Sequence, residues 1–142
     1  MQLQTKYHGL IEITEEQVLT FEHGIPGFID EEKFIILPLE QDETFMILQS
    51  VSTAGLAFVL INPFHYFPDY DFSLDDNAIY QLKLSSPDDI IVYTILTIHD
   101  PFENTTANLQ APVIINSKNK LGKQVILNDT KYTSRHKIIE KG

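Results

Sequence analysis

The stretch IIVYTILTI, residues 90 to 98, is apolar on nearly both faces of an extended chain. That pattern predicts a strand at the centre of a sheet, because a half-exposed strand alternates instead. Working outward, AIYQLKL (78 to 84) puts Ala78, Tyr80, Leu82 and Leu84 on one face and reads as such a half-exposed strand. Before it lie GLAFVLINP (55 to 63), TFMILQSV (44 to 51) and FIILPL (34 to 39), short runs rich in β-branched and aromatic residues and separated by turn formers. Further back, Val18-Leu19-Thr20-Phe21 and the alternating Leu3, Thr5 and Tyr7 continue the pattern. On the other side, APVIIN (111 to 116) and QVILN (124 to 128) flank SKNKLGK. This is a hairpin connection in which Gly122 can supply a positive φ and the lysines discourage edge pairing.

Helical signals are few. Ser86-Pro87-Asp88-Asp89 offers an N-cap, a proline at the first helical position and acids in the first turn, which predicts a short helical turn. Thr14-Glu15-Glu16-Gln17 can form another single turn, although its Glu stands one position too early for the usual capping box. Roughly ten short strands without helical crossovers predict an antiparallel barrel or sandwich. The expected fold is all-β: one small antiparallel β-barrel-like domain over residues 1 to 142 with one or two short helical turns. Residues from about 132 to 142, rich in Lys, Arg and His, are expected to form a loosely held tail.

A chain of 142 residues fits one domain, and 43% hydrophobic content with nine Phe and six Tyr argues against disorder. There is no cysteine, which removes disulfides, thiolate metal sites and a cysteine nucleophile. The N-terminal MQLQTKYHG lacks the charged and apolar regions of a leader, and no apolar run is long enough to span a membrane, so a cytoplasmic location is expected. Asn104-Thr105-Thr106 matches a glycosylation acceptor but carries no weight without a secretory route.

Charge is unevenly placed within the net −10. Residues 1 to 100 hold seventeen acids and three bases, a net of −14, whereas residues 101 to 142 hold three acids and seven bases, a net of +4. Such an acidic body repels phosphates and is a poor nucleic-acid binder, while its field attracts basic proteins and speeds their encounter. Solubility alone is the plainer reading of the same charge.

Catalytic and metal signatures are missing. His8, His23, His65, His99 and His136 form no i, i+4 pair and no His-X-His pair. Asp69-Tyr70-Asp71 followed by Asp75-Asp76-Asn77 resembles a calcium loop until aligned, when Leu74 falls where glycine is needed and Tyr80 where a bidentate Glu is needed. There is no nucleophile elbow, phosphate-binding glycine loop or zinc-protease helix motif, and Ser50, Ser85 and Ser86 have no activating neighbours in sequence. The chain is therefore read as a non-enzyme without cofactor or metal. The alternative is a small β-barrel holding a ligand in its mouth or lumen, or an enzyme built that way, against which apolar strands such as IIVYTILTI suit a filled interior.

The aromatic residues point elsewhere. INPFHYFPDYDF (61 to 72) carries five rings interrupted by two prolines, so it is no regular central strand and some rings must sit on a loop or edge. Phe64, Tyr66 and Tyr70, rimmed by Asp69, Asp71, Asp75 and Asp76, are the candidate partner-binding residues, an apolar anchor with an acidic border. Asn108 is a further candidate, although an asparagine before a strand is more often a turn residue.

A second turn is informative. In FEHGIPGFIDEEKF (21 to 34), Pro26 and Gly27 satisfy the second and third positions of a type II turn. Ile25 and Phe28 at its corners are expected to point the same way and close the end of the barrel core. Glu22, Asp30, Glu31 and Glu32 remain for the surface field.

Several segments in chain order resemble the FliW family of flagellar assembly factors. They are Phe21 with Gly24-Ile25-Pro26-Gly27-Phe28, Leu48-Gln49-Ser50, Ala57-Phe58-Val59 running to Asn62-Pro63, Pro87-Asp88-Asp89, Asn108-Leu109-Gln110-Ala111-Pro112 with Ile114-Ile115-Asn116, and Gln124-Val125-Ile126-Leu127. The resemblance spans nearly the whole chain. It implies a small β-barrel-like, non-enzymatic protein with two alternative partners, flagellin and the RNA-binding translational repressor CsrA. In the family's scheme, flagellin awaiting export occupies FliW and leaves CsrA free to repress flagellin translation. As flagellin is secreted, FliW is released to bind CsrA and relieve repression, acting away from the RNA site. The implied role couples flagellin synthesis to export, with no direct contact to nucleic acid or membrane.

Overall fold

The computed structural model describes residues 1–41, 44–128 and 130–139. In chain order these form β1 (Gln2–Thr5), β2 (Gly9–Glu12), β3 (Leu19–Thr20), β4 (Lys33–Pro38), β5 (Met46–Ser50) and β6 (Ala57–Ile61). Two short helices follow, α1 (Pro63–Tyr66) and α2 (Asp76–Gln81), then β7 (Ile90–Thr97), β8 (Thr106–Ala107), β9 (Val113–Asn116), β10 (Leu121–Gln124) and β11 (His136–Lys137). Single 3-10 turns occupy Glu15–Gln17, Pro87–Asp89 and Phe102–Asn104.

The strand β7, from the stretch 90 to 98, is the hub. It pairs antiparallel with β6 (Leu60↔Ile95), with β9 (Ile91↔Ile115) and, near its end, with β8 (Leu96↔Ala107). From β6 the sheet runs through β5, β4 and β3 to β10, and β10 returns to β9, so seven strands close a barrel. Closure depends on one parallel contact in an otherwise antiparallel sheet, Thr20 of β3 against Leu121 of β10. The separate β1–β2 hairpin and the β8–β11 pair lie outside the closed ring.

Alternation along β7 explains why it is apolar on both faces. Tyr93 and Ile95 pack on the barrel core with Phe34, Leu48, Leu60, Val113 and Ile115, whereas Val92 and Leu96 belong to clusters outside the wall. The lumen is filled by side chains, each fully buried large apolar group contributing about 1.5–3 kcal/mol. Outside, Ile61, Tyr70, Leu96, Leu109 and Ile138 form one cluster, and Ala78, Leu82, Ile114, Val125 and Leu127 form another beneath α2. A third, Leu3, Ile13 and Ile35, holds the β1–β2 hairpin to the back of β4.

Local signals were met at two turns. Ser86 Oγ accepts the Asp88 N–H at 3.2 Å and starts the Pro87–Asp89 turn. At the other, Gly27 takes φ 88° and Ile25 and Phe28 bridge each other, with the Phe28 N–H donating to the Ile25 carbonyl at 2.6 Å. Of the two corners expected to close the barrel core, only Ile25 does so; Phe28 is 42% exposed and stands edge-on to Phe58 at 5.5 Å.

Four expectations are corrected. AIYQLKL is not a strand: Asp75 Oδ1 accepts the Ala78 N–H at 2.8 Å and α2 follows, with Ala78 and Leu82 buried four residues apart. Burial at i and i+4 thus overrides an apparent two-residue period. The hairpin after β9 is real, but its second strand is Leu121–Gln124, and Lys120 rather than Gly122 takes the positive φ, at 62°. In the first 3-10 turn the side chain of Gln17, not a Glu, accepts the Thr14 N–H at 2.9 Å.

The fourth correction concerns the tail, which is docked as far as Ile138. The strand β11 pairs with β8, Ile138 is buried, the Thr133 carbonyl accepts the N–H groups of Leu109 and Gln110, and Tyr132 packs edge-on against Tyr70 at 4.7 Å. The rest of the expected tail, residues 140 to 142, lies outside the described residues.

Candidate functional site

The segment 61 to 72 is shaped by capping. Asn62 Oδ1 accepts the Phe64 N–H at 2.9 Å and Pro63 opens α1, a single turn that breaks the strand β6 and sends the chain across the barrel wall. The rings that follow are unequally exposed. Tyr66 and Phe67 are half-buried against the outer cluster, and Tyr70 is almost fully buried. Tyr70 is the centre of a ring cluster, with Phe64 at 5.9 Å, Phe72 at 5.2 Å and Tyr132 at 4.7 Å. Its hydroxyl donates to the Leu109 carbonyl at 2.7 Å. Burial, and after it the neighbouring Tyr132, pushes the Tyr70 phenol above the usual tyrosine range, so it stays a neutral donor. Tyr70 is a structural post that does not reach the surface.

Of the candidate rings, Phe64 is the one on display, 43% exposed over Tyr70. Asp69, Asp71, Asp75 and Asp76 are all exposed. Three of them also shape the backbone: Asp75 caps α2, the Asp71 N–H donates to the Tyr132 hydroxyl at 3.0 Å, and that hydroxyl donates to the Asp69 carbonyl at 3.3 Å. Asn108 is a turn residue here, its Oδ1 accepting the Ala111 N–H at 3.0 Å.

Phe64 and Asp71 line an open groove of about 570 Å³ together with Leu74, Ile79, Leu84 and Ile90. Among the described residues lining it there is one acid and no Lys or Arg. The helix α2 rises beside the groove and exposes Ile79 at 39% and Tyr80 at 82%. Sequence reasoning missed both, because a strand reading put Tyr80 on the buried face with Ala78 and Leu82. The signal that would have found them is Asp75 as a cap, followed by Ala78 and Leu82 at helical spacing.

Ser50 serves the backbone. Ser50 Oγ donates to Glu31 Oε2 at 2.7 Å and accepts the N–H groups of Ser52 and Thr53 at 3.1 and 2.9 Å, fastening the loop after β5. Hydrogen bonds from Thr53, and then from Ser50, hold the Glu31 carboxyl below the usual carboxylate range. Among the described residues, no group of three or more His, Asp or Glu is placed to hold a metal ion. No helix among them is long and apolar enough to cross a membrane.

Comparison with known proteins agrees along the whole chain. A family model described as FliW protein matches residues 2–138. The flagellar assembly factor FliW of Geobacillus kaustophilus (strain HTA426) is 55% identical over 138 residues, covering 97% of this chain and 95% of that protein. The protein of the same name from Bacillus subtilis (strain 168) is 49% identical, covering 97% and 96%. A crystal structure of the flagellar assembly factor FliW matches with a TM-score of 0.94 at 50% identity, covering 99% of each chain. With barrel, turns and sequence in agreement, the chain belongs to the FliW family of flagellar assembly factors.

Proposed function

We propose that this protein is a non-enzymatic cytoplasmic regulator that binds either flagellin or CsrA. Binding CsrA relieves repression of flagellin translation, and binding flagellin prevents it, so that synthesis follows export. The observation that carries this reading is family membership along essentially the whole chain, in a barrel whose lumen is occupied by its own side chains. A filled lumen leaves the surface for function, and that favours a binding protein over the ligand-holding barrel.

The charge distribution supports a basic partner. An acidic body speeds encounter with an RNA-binding protein, whose own basic surface must neutralise phosphates, and it repels the RNA itself. Mutual exclusion of two partners requires sites that overlap or are coupled, because a ligand shifts an equilibrium only through differential affinity. Calorimetric titration of the purified protein with CsrA and, separately, with flagellin tests the proposal. Saturable heats with each are expected, and absence of binding to both at about 10 μM overturns it.

A further inference from the structure

We infer that β10, with its extension to Leu127, keeps an open edge that takes up an extended, Lys- or Arg-bearing segment of a partner protein by backbone pairing. This rests on the reading of a protein that binds other proteins through its surface, and it names the surface and the mode. The ladder between β9 and β10 does not stop at Gln124. The Val125 N–H donates to the Pro112 carbonyl at 2.9 Å and the Leu127 N–H to the Gln110 carbonyl at 2.8 Å, one step of an antiparallel ladder apart. Pairing therefore continues through Leu127, and the backbone groups of Gln124 and Ile126 turn to the opposite side. That side has lost its neighbour. The strand β3 meets β10 at Leu121↔Thr20 alone, and its chain then turns away, the Gly24 N–H donating back to the Phe21 carbonyl at 2.9 Å. The N–H and carbonyl of Ile126 have no hydrogen-bond partner among the described residues.

The gap left by β3 is walled. A hollow of about 310 Å³ lies along Gln124, Val125 and Ile126, with Glu22 and Pro26 from the diverging chain and Gln81 from α2 around it. A second, of about 370 Å³, shares Asp75, Val125 and Ile126 with the first and continues to Asp71 and Asn128. Other strands have open edges too, but without this setting. The hairpin strand β2 exposes three of its four residues and offers an added strand little to pack against. The strand β11 is two residues long and carries Lys137, a charge of the kind that protects an edge.

Unpaired N–H and carbonyl groups along a strand are matched by an extended backbone, and charge around the edge selects its side chains. Glu22, Asp71 and Asp75 border the two hollows, against Lys123 as the one Lys or Arg among their described lining residues. Gln81 Oε1, buried and without a hydrogen-bond partner among the described residues, adds an acceptor at the same wall. An excess of acceptors and negative charge fits Lys or Arg alternating with apolar residues, and disfavours an acidic segment. A second copy of this chain is disfavoured as well, because one acidic body would meet another.

The test measures binding of a capped octapeptide alternating Val and Lys, and of its Val–Glu counterpart, to the full chain. Wild type should prefer the Lys peptide by roughly tenfold or more, and saturation with it should slow amide exchange at Gln124 and Ile126. Ile126→Pro removes an N–H that bonds nothing described within the chain, and should weaken the Lys peptide by roughly tenfold or more. Ile126→Ala keeps that N–H and should stay within about threefold of wild type. Leu10→Pro, at an outer edge of the β1–β2 hairpin, should leave peptide binding unchanged. No binding of the Lys peptide at about 1 mM, equal affinity for the two peptides, unchanged exchange at Gln124 and Ile126, or Ile126→Pro within about twofold of wild type overturns the edge site. So does a wild-type dimer in sedimentation that Ile126→Pro dissociates, which gives the edge to a second copy. Each of these results leaves the reading of function standing, since that reading falls when flagellin and CsrA both fail to bind.

Discussion

Gly122 lies against the ring of Phe21, so closely that a Cβ at position 122 would stand 2.5 Å from the ring's Cζ. Phe21 cannot move aside easily, since it is fully buried and meets Phe34 edge-on at 5.2 Å. The glycine sits in β10, next to the single parallel contact that closes the barrel. Gly122→Ala should therefore overpack this seam and cost about 1–3 kcal/mol, read as a lower urea midpoint. An unchanged midpoint would show that the seam has room the structure does not allow.

Asn116 links the hairpin to α2. Besides holding the carbonyls of Leu82 and Lys83, its Oδ1 accepts the Lys118 N–H at 3.0 Å. Replacing it with alanine removes three hydrogen bonds, one of them buried, and leaves the Leu82 carbonyl with only the longer 3.4 Å bond from Asn119 Nδ2, at a cost of about 1–3 kcal/mol. The loss should be local as well as global. In Asn116→Ala, amide exchange should quicken in residues 78 to 84 more than in β4 and β5, whereas uniform quickening would mean that Asn116 supports the barrel and not α2.

Glu31 gives the stability a pH dependence of defined sign. Its folded pKa lies below the ordinary carboxylate value of 4.5, so the ionised form is the one the fold favours. The stability this contributes is present above about pH 4.5 and is lost as pH falls through the folded value. Glu31→Gln should thus be less stable than wild type at neutral pH, with the difference shrinking in acid. A gap that widens on acidification contradicts the Thr53 and Ser50 hydrogen bonds as its source.

Long-range attraction should appear in kinetics. Exposed charges more than roughly 10 Å apart are screened at 0.1 M salt, so the acidic body accelerates encounter mainly at low ionic strength. The association rate with CsrA is expected to fall markedly as salt rises, with the dissociation rate much less affected. A salt-independent association rate would remove charge steering from the account.

Much of the barrel was legible because its strands carry local signals. The run 90 to 98 is apolar on both faces because one face fills the lumen and the other supports the outer clusters. The Pro26-Gly27 and Ser86-Pro87 turns depend on backbone preferences that a sequence displays directly. The helix α2 was not legible for an equally physical reason. Over Ala78 to Leu84, alternation and helical spacing share Ala78 and Leu82, and six helical residues are too few to separate the two periods. Gly122 was misread since its need is steric, imposed by a ring about a hundred residues away in sequence, and not conformational. Tyr70 was taken for a surface ring because a sequence does not show that Leu109 and Tyr132 close over it.

The central claim is that one acidic β-barrel takes either of two partners. Calorimetric titration with CsrA, performed with the free protein and again with the protein saturated by flagellin, tests it most directly. The account predicts a saturable heat with the free protein that is abolished, or weakened by roughly tenfold or more, when flagellin is bound. Equal CsrA affinity in the two titrations would contradict it.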